Sequence, residues 1–298
     1  MALFHGLSAF PITPTDAHGI VDTDGVMRLA SRLASAGVGS IGLLGSTGTY
    51  AYLTRDERRR AVKAAVKAVG GKTPLMVGVG SLRTDDAQAL ARDAEAEGAD
   101  GLLMAPMSYT PPTQEEVYQH YVSVVASSRL PMCIYNNPST THFTFSTDLL
   151  QRLADVSNIV AVKMPQPKVG TILTELNTLR DGSAGRLSIG YSGDWGAAEA
   201  LLSGADAFYS VMAGFLPDVA MKLATAAKAG DRHEVFHLDS QLQPLWALFR
   251  ELGSLRVAYA AVNELGLFRA VPPTPILPIS DDDHRRVARA LSAASTVA

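Results

Sequence analysis

One cysteine, Cys133, in 298 residues excludes any intrachain disulfide. It lies in the apolar run Met132-Cys133-Ile134-Tyr135 and reads as a core residue rather than a reactive one. Cysteines and histidines nowhere fall at metal-ligand spacing, so no metal site is expected. Positive charge is not in excess: 26 Lys and Arg stand against 29 Asp and Glu, a net charge of -3. That balance gives no electrostatic case for a nucleic-acid partner. No apolar run approaches the roughly 20 residues of a membrane span. The opening residues 1–14 lack the basic stretch and long apolar core of a signal peptide, so no membrane association and a cytoplasmic setting are expected. Gly78-Val79-Gly80 is a lone Gly-x-Gly with Arg83 where a third glycine would be wanted, and no Walker-type loop occurs. Dinucleotide- and nucleotide-binding readings are correspondingly weak.

What is present is a globular composition, 47% hydrophobic and 18% charged. Length alone permits one large domain or two. Eight short apolar runs alternate with helical patterns: Leu7–Phe10, Ser40–Leu44, Leu75–Val79, Gly101–Ala105, Met132–Asn136, Ile159–Lys163, Leu187–Tyr191 and Ala207–Val211. Most are continuous rather than alternating, as suits parallel strands covered on both faces. Eight βα units in one unbroken series favour a (β/α)8 barrel over a doubly wound sheet. Between the strands, Asp22 to Ala36 has helical apolar spacing, and Thr54 with Glu57 and Thr113 with Glu116 form capping-box patterns. Thr84 and Ser146 read as further caps. The run Arg58-Arg59-Arg60, beside Asp56 and Glu57, reads as a solvated helix face. Four helical patterns follow the eighth strand, at Leu216–Ala229, Arg232–Leu252, Leu255–Leu265 and Asp281–Ala294, the last two joined by a proline-rich connector. The expected organisation is a barrel over residues 1–225 and a C-terminal helical extension over residues 226–298, in one structural unit.

Barrel chemistry sits at the C-terminal ends of the strands, so reactive residues there matter most. Lys163 closes the sixth run. An amine facing the barrel mouth would be desolvated, which favours the uncharged, nucleophilic form; the alternative is a lysine leaving the strand end for solvent. Tyr135, near the end of the fifth run, could relay protons at a carbonyl carbon or serve as a half-buried aromatic. Gly45-Ser46-Thr47-Gly48 offers backbone amides and hydroxyls to an anion, or is an ordinary βα turn. Tyr109, in the loop after the fourth run, anchors its loop or reaches toward a site or a neighbouring subunit.

Taken together and in order, Phe10-Pro11-Ile12-Thr13-Pro14, Gly45-Ser46-Thr47-Gly48, Tyr135-Asn136-x-Pro138, Val162-Lys163, Ser192-Gly193-Asp194 and Glu264-Leu265-Gly266-Leu267 resemble the dihydrodipicolinate synthase/N-acetylneuraminate lyase family of class I aldolases. The likeness runs over nearly the whole chain. It implies that Lys163 attacks C2 of a 2-oxo acid such as pyruvate to form an imine, with no metal or organic cofactor. It further implies Tyr135 as general acid/base, and Thr47 linking Tyr135 to Tyr109 in a hydroxyl relay, Tyr109 coming from a neighbouring subunit. Ser46 and Thr47 would hold the carboxylate, and Tyr209 and Gly193 would contact the bound 2-oxo acid. A homo-oligomer, dimer or tetramer, is implied as well. Departures bear on the substrate. Where dihydrodipicolinate synthases resemble Tyr-Asn-x-Pro-Ser-Arg-Thr-Gly, this chain has Thr140 in place of the arginine that grips the aldehyde's carboxylate, and that loss is not conservative. Thr49 replaces the glutamate usual after the glycine-flanked turn, and Tyr109 matches the relay tyrosine only with a one-residue shift. The expected activity is therefore an aldolase or dehydratase acting on a 2-oxo acid and an aldehyde or its adduct. Dihydrodipicolinate synthase itself, a catalytically silent 2-oxo-acid-binding relative and a phosphate-binding barrel enzyme are the alternatives. His142 and Phe143 are candidates for the acceptor pocket.

Overall fold

The computed structural model describes residues 3–295. Its centre is a closed barrel of eight parallel strands in sequence order: β1 (Gly6–Ala9), β2 (Ser40–Leu43), β3 (Leu75–Gly78), β4 (Gly101–Met104), β5 (Met132–Tyr135), β6 (Ile159–Met164), β7 (Ser188–Ser192) and β8 (Ala207–Ser210), with β8 paired back to β1. Each lies within one residue of its expected place. Twelve helices are described: α1 (Thr23–Ser35), α2 (Arg55–Val69), α3 (Thr84–Glu97), α4 (Gln114–Val125), α5 (Pro138–Thr141), α6 (Thr147–Ala154), α7 (Ile172–Gly182), α8 (Ala197–Leu202), α9 (Pro217–Lys228), α10 (Arg232–Leu252), α11 (Ser254–Glu264) and α12 (Asp281–Ser295). None of the described helices is long and apolar enough to cross a membrane.

The strands run apolar on both faces because each face meets a different core. Outward-facing residues such as Ile41, Val77, Leu102, Ile134, Val162 and Ile189 pack under the helices in one large cluster. Inward-facing residues form a second, smaller cluster that includes Met76, Leu103, Cys133, Tyr135, Ala161, Ala207 and Tyr209. The period-two alternation of the strand therefore separates Cys133 and Tyr135, which point inward, from Ile134, which points out. Cys133 is fully buried, and burial pushes its thiol up to about 12, in keeping with the core role expected of it.

Helix starts follow their caps. Thr113 and Glu116 make the full reciprocal box, and Asp22 and Ser146 each accept from a first-turn amide. Thr54 caps α2, but the Glu57 carboxylate turns to the Val21 amide (2.7 Å) and to Arg60 instead of closing the box. Thr84 does not cap α3. It is the first helical residue, Arg83 occupies the cap position, and the Thr84 hydroxyl pairs with His120 Nδ1 at 2.9 Å.

The arginine run is also more than a solvated face. Arg59 and Arg60 are exposed, but Arg58 is 6% exposed and donates to the carbonyls of Gly78 (2.8 Å) and Gly80 (3.1 Å) at the end of β3, with its guanidinium 5.3 Å from the Tyr50 ring centre. Burial lowers this guanidinium to about 10, against the pull of Tyr50. Helical phase rather than charge decides this, because position 58 lies on the face of α2 that meets the barrel. Arg58→Ala would strand two buried carbonyls. It is expected to destabilise the fold by about 3 kcal/mol, read as a lower urea midpoint at unchanged slope.

The C-terminal helices pack on one another and on α9, which itself follows β8; residue 225, where the sequence reading divides barrel from extension, lies inside α9. The extension also reaches the barrel mouth. Buried Tyr259 of α11 donates to the Thr13 carbonyl at 3.0 Å, and the Thr13 hydroxyl donates to the Gly48 carbonyl at 2.7 Å. The turn carrying Ser46 and Thr47 is thus tied through Thr13 to α11.

Candidate active site

Lys163 and Tyr135 are register partners on adjacent strands, each at the C-terminal end where a barrel presents its chemistry. The Lys163 Nζ stands 3.6 Å from the centre of the Tyr135 ring, 5.2 Å from that of Phe10 and 5.9 Å from that of Tyr209. Lys163 is only 4% exposed, so it does not leave the strand for bulk solvent. Phe10 and Tyr209 meet edge to face at 5.7 Å and complete an aromatic surround. Two glycines make room for it. A Cβ at Gly42 would fall 2.3 Å from the Phe10 ring, and one at Gly190, the β7 neighbour of Lys163, 2.5 Å from the Tyr209 ring.

The phenol oxygen of Tyr135 meets Ser46 Oγ at 3.3 Å and receives a hydrogen bond from Asn137 Nδ2 at 3.0 Å. Asn137 Nδ2 also reaches Ser46 Oγ, at 3.3 Å. This corrects the expected relay. Successive side chains of the turn point different ways, so Ser46, not Thr47, faces the phenol. Thr47 is buried beside it, and among the described residues it makes no hydrogen bond to Tyr135 or Tyr109. Tyr109 is 96% exposed, on a groove of about 440 Å³ shared with Leu82, Pro106, Pro112 and His120, and does not reach the Tyr135 of its own chain.

The other expected residues divide. Tyr209 is inside the barrel, its ring under Lys163 and its hydroxyl 3.6 Å from Cys133 Sγ. Burial drives that phenol well above its ordinary range. Gly193 follows β7 with φ +99, and a side chain there would strike Gln166 Cγ at 2.9 Å. Thr140 is exposed and turns its hydroxyl to the Asn137 carbonyl at 3.3 Å. His142 is exposed, while Phe143 is buried against Phe145 under the helices, with ring centres 5.1 Å apart. Packing claims Phe143 because its ring completes the aromatic group that also holds Tyr121.

Two residues had no assigned role in the sequence. Asn137 is one. Asp194 is the other: its buried carboxylate accepts from the Ser210 hydroxyl and from the amides of Val211 (3.0 Å) and Met212 (3.3 Å), pinning the end of β8. Burial raises this carboxyl, against the pull of those donors and of the Lys163 charge. Both residues follow a strand end inside a motif already noticed, which is the only sequence signal either carried. Among the described residues no group of three or more His, Cys, Asp or Glu is placed to hold a metal ion.

Comparison with known proteins agrees with this fold. The sequence model of the dihydrodipicolinate synthetase family matches residues 3–294. The chain is 31% identical over 297 residues to a 4-hydroxy-tetrahydrodipicolinate synthase of Alkalilimnicola ehrlichii, covering 99% of this chain and 100% of that one. Among solved structures it resembles a dihydrodipicolinate synthase of Agrobacterium tumefaciens, with TM-score 0.96 and 55% identity over 98% of each chain. It also resembles the chloride-inhibited Acinetobacter baumannii dihydrodipicolinate synthase complexed with pyruvate, with TM-score 0.89 and 28% identity over 98% of this chain and 99% of that one. With the barrel, the strand-end lysine and the adjacent phenol in place, the chain belongs to the dihydrodipicolinate synthetase family, whose enzymes are class I aldolase-type lyases that carry their substrate on a lysine without a metal or organic cofactor.

Proposed function

We propose that this protein is a lyase that binds a 2-oxo acid, pyruvate or a relative, as an imine on Lys163, and makes or breaks a carbon–carbon or carbon–oxygen bond at the adjacent carbon. The observation that carries the reading is the Lys163 amine held 3.6 Å above the Tyr135 ring at the barrel mouth, with the phenol oxygen tied to Ser46. Lys163 attacks C2 of the 2-oxo acid, and Tyr135 moves protons to and from the carbinolamine oxygen and C3. The protonated imine withdraws electrons from C3, so the enamine forms with no further cofactor. Ser46, Thr47 and the amides of their turn hold the carboxylate, with Gly193 and the backbone of Tyr209 closing the far side.

Aldolase or dehydratase activity is favoured over dihydrodipicolinate synthesis by one observation. Thr140 stands where the resemblance places an arginine, and its hydroxyl is spent on the Asn137 carbonyl. A neutral, short side chain cannot supply a bidentate grip on the second carboxylate of aspartate semialdehyde. Tyr109, almost wholly exposed beside Leu82, supports a homo-oligomer in which this aromatic loop is covered by a second copy. A panel of hydroxylated 2-oxo acids, sugar-derived 2-keto-3-deoxy acids among them, tests the activity by release of pyruvate or by dehydration. At least one is expected to turn over, while pyruvate with aspartate semialdehyde condenses at least about 100-fold more slowly. Efficient condensation of that pair would return the protein to dihydrodipicolinate synthesis, and inertness of the whole panel with no imine formed would favour the silent binding protein.

A further inference from the structure

Asn137 lies two residues beyond Tyr135, on the same side of the extended chain as it leaves β5. Its backbone is fixed from below. The Asn137 carbonyl accepts from the amides of Thr140 (3.1 Å) and Thr141 (3.0 Å) and from the hydroxyls of both. Its side chain is fixed from both ends. Oδ1 accepts from the Ser139 hydroxyl at 2.9 Å, and Nδ2 donates to Tyr135 at 3.0 Å and to Ser46 at 3.3 Å. With Oδ1 committed to Ser139, the nitrogen is the atom that faces the two hydroxyls, and an amide nitrogen can only donate. Tyr135 must then accept on its oxygen, which leaves its own proton for Ser46 or for a substrate oxygen. Ser46 accepts from Asn137, and toward Tyr135 either hydroxyl can be the donor.

On the reading that Lys163 carries a 2-oxo acid and Tyr135 moves its protons, we infer that Asn137 is the positioning residue for that transfer. Its N–H orients the phenol's proton toward the substrate and holds the oxygen once the proton has gone. In the forward sequence Tyr135 gives its proton to the carbinolamine oxygen, the C2–O bond breaks, water leaves, and the nitrogen lone pair forms the C=N bond. The phenolate, held by the Asn137 amide, then takes a proton from C3, and that C–H electron pair becomes the enamine double bond as the iminium is neutralised. Among the described residues Ser46 and Asn137 are the two hydrogen-bond partners of the phenol oxygen, and Asn137 is the one that cannot accept its proton. A hydrogen bond to a group that becomes charged is stronger than one between neutral groups, so the amide acts most during the transfer itself.

Asn137→Asp tests this with little change of shape, because it retains an acceptor for Ser139 and replaces the donor with a second oxygen; Asn137→Ala removes both. The readout is exchange of the C3 hydrogens of pyruvate in heavy water, followed by proton NMR, alongside borohydride trapping of pyruvate on Lys163. In both variants trapping should still go to completion. The exchange rate at saturating pyruvate should fall about 10- to 100-fold, with the half-saturating concentration moving less than about threefold. Wild-type exchange in Asn137→Asp, or a defect confined to half-saturation, would overturn the inference. Loss of trapping in both variants would overturn it too, by making Asn137 a scaffold of the site. Absence of trapping in the unaltered protein would instead bring down the underlying imine reading, and this inference with it.

Discussion

Lys163→Ala should abolish imine formation with any 2-oxo acid and lower turnover by about 10⁴-fold or more, the scale seen when a covalent nucleophile is removed. No neighbouring group can replace it. The rings around its Nζ are those of Phe10, Tyr135 and Tyr209, none of them an amine, and every other lysine of the chain is exposed while Lys163 is buried. The fold should persist. The side chain sits at the open end of the barrel, so the space vacated can admit water, and the expected change in stability is within about 1 kcal/mol. Activity is read against the best substrate of the panel, and the midpoint of thermal unfolding is read on the same preparation. Turnover within tenfold of the unaltered protein would remove Lys163 from the chemistry.

The second large effect belongs to the phenol. Tyr135→Phe keeps the ring beneath the amine and removes only the oxygen that meets Ser46 and Asn137. Imine formation should continue, because the amine and its aromatic surround are intact, but proton delivery must then come from water or Ser46. Turnover is expected to fall about 10²- to 10⁴-fold, the usual contribution of a positioned acid or base. Borohydride should still fix pyruvate on Lys163 in this variant, more slowly than in the unaltered protein. That combination of strong loss of turnover and retained trapping separates Tyr135 from Lys163, since loss of the lysine removes both. Wild-type turnover in Tyr135→Phe would dismiss the phenol from the mechanism.

The barrel was legible because most strands are apolar on both faces, so the eight runs could be placed to within one residue. Strand position alone left Lys163 and Tyr135 two places to go, the barrel mouth or solvent, and the family resemblance rather than the strand pattern chose the mouth. Contacts set by turns were not legible. Whether Ser46 or Thr47 faces the phenol depends on backbone angles in a turn flanked by Leu44 and Thr49, both at φ 55, and neither residue type announces that conformation. Asn137 carries no sequence signal of its own, since its bond to Tyr135 exists only once β5 ends where it does. Arg58 was misjudged because charge pattern is read along the chain, while burial is decided by helical phase against the end of β3. Tyr109 is a different case: in the single chain its ring faces outward, and its reach toward Tyr135 is a question about a second copy.

The central claim is that the amine of Lys163 forms a covalent bond with the oxo carbon of the substrate. Incubation with pyruvate and borohydride, followed by proteolysis and mass spectrometry of the peptides, addresses it directly. One stoichiometric reduced adduct on the peptide that contains Lys163 is the predicted result. An unmodified Lys163, with label absent or scattered over surface lysines, would contradict it.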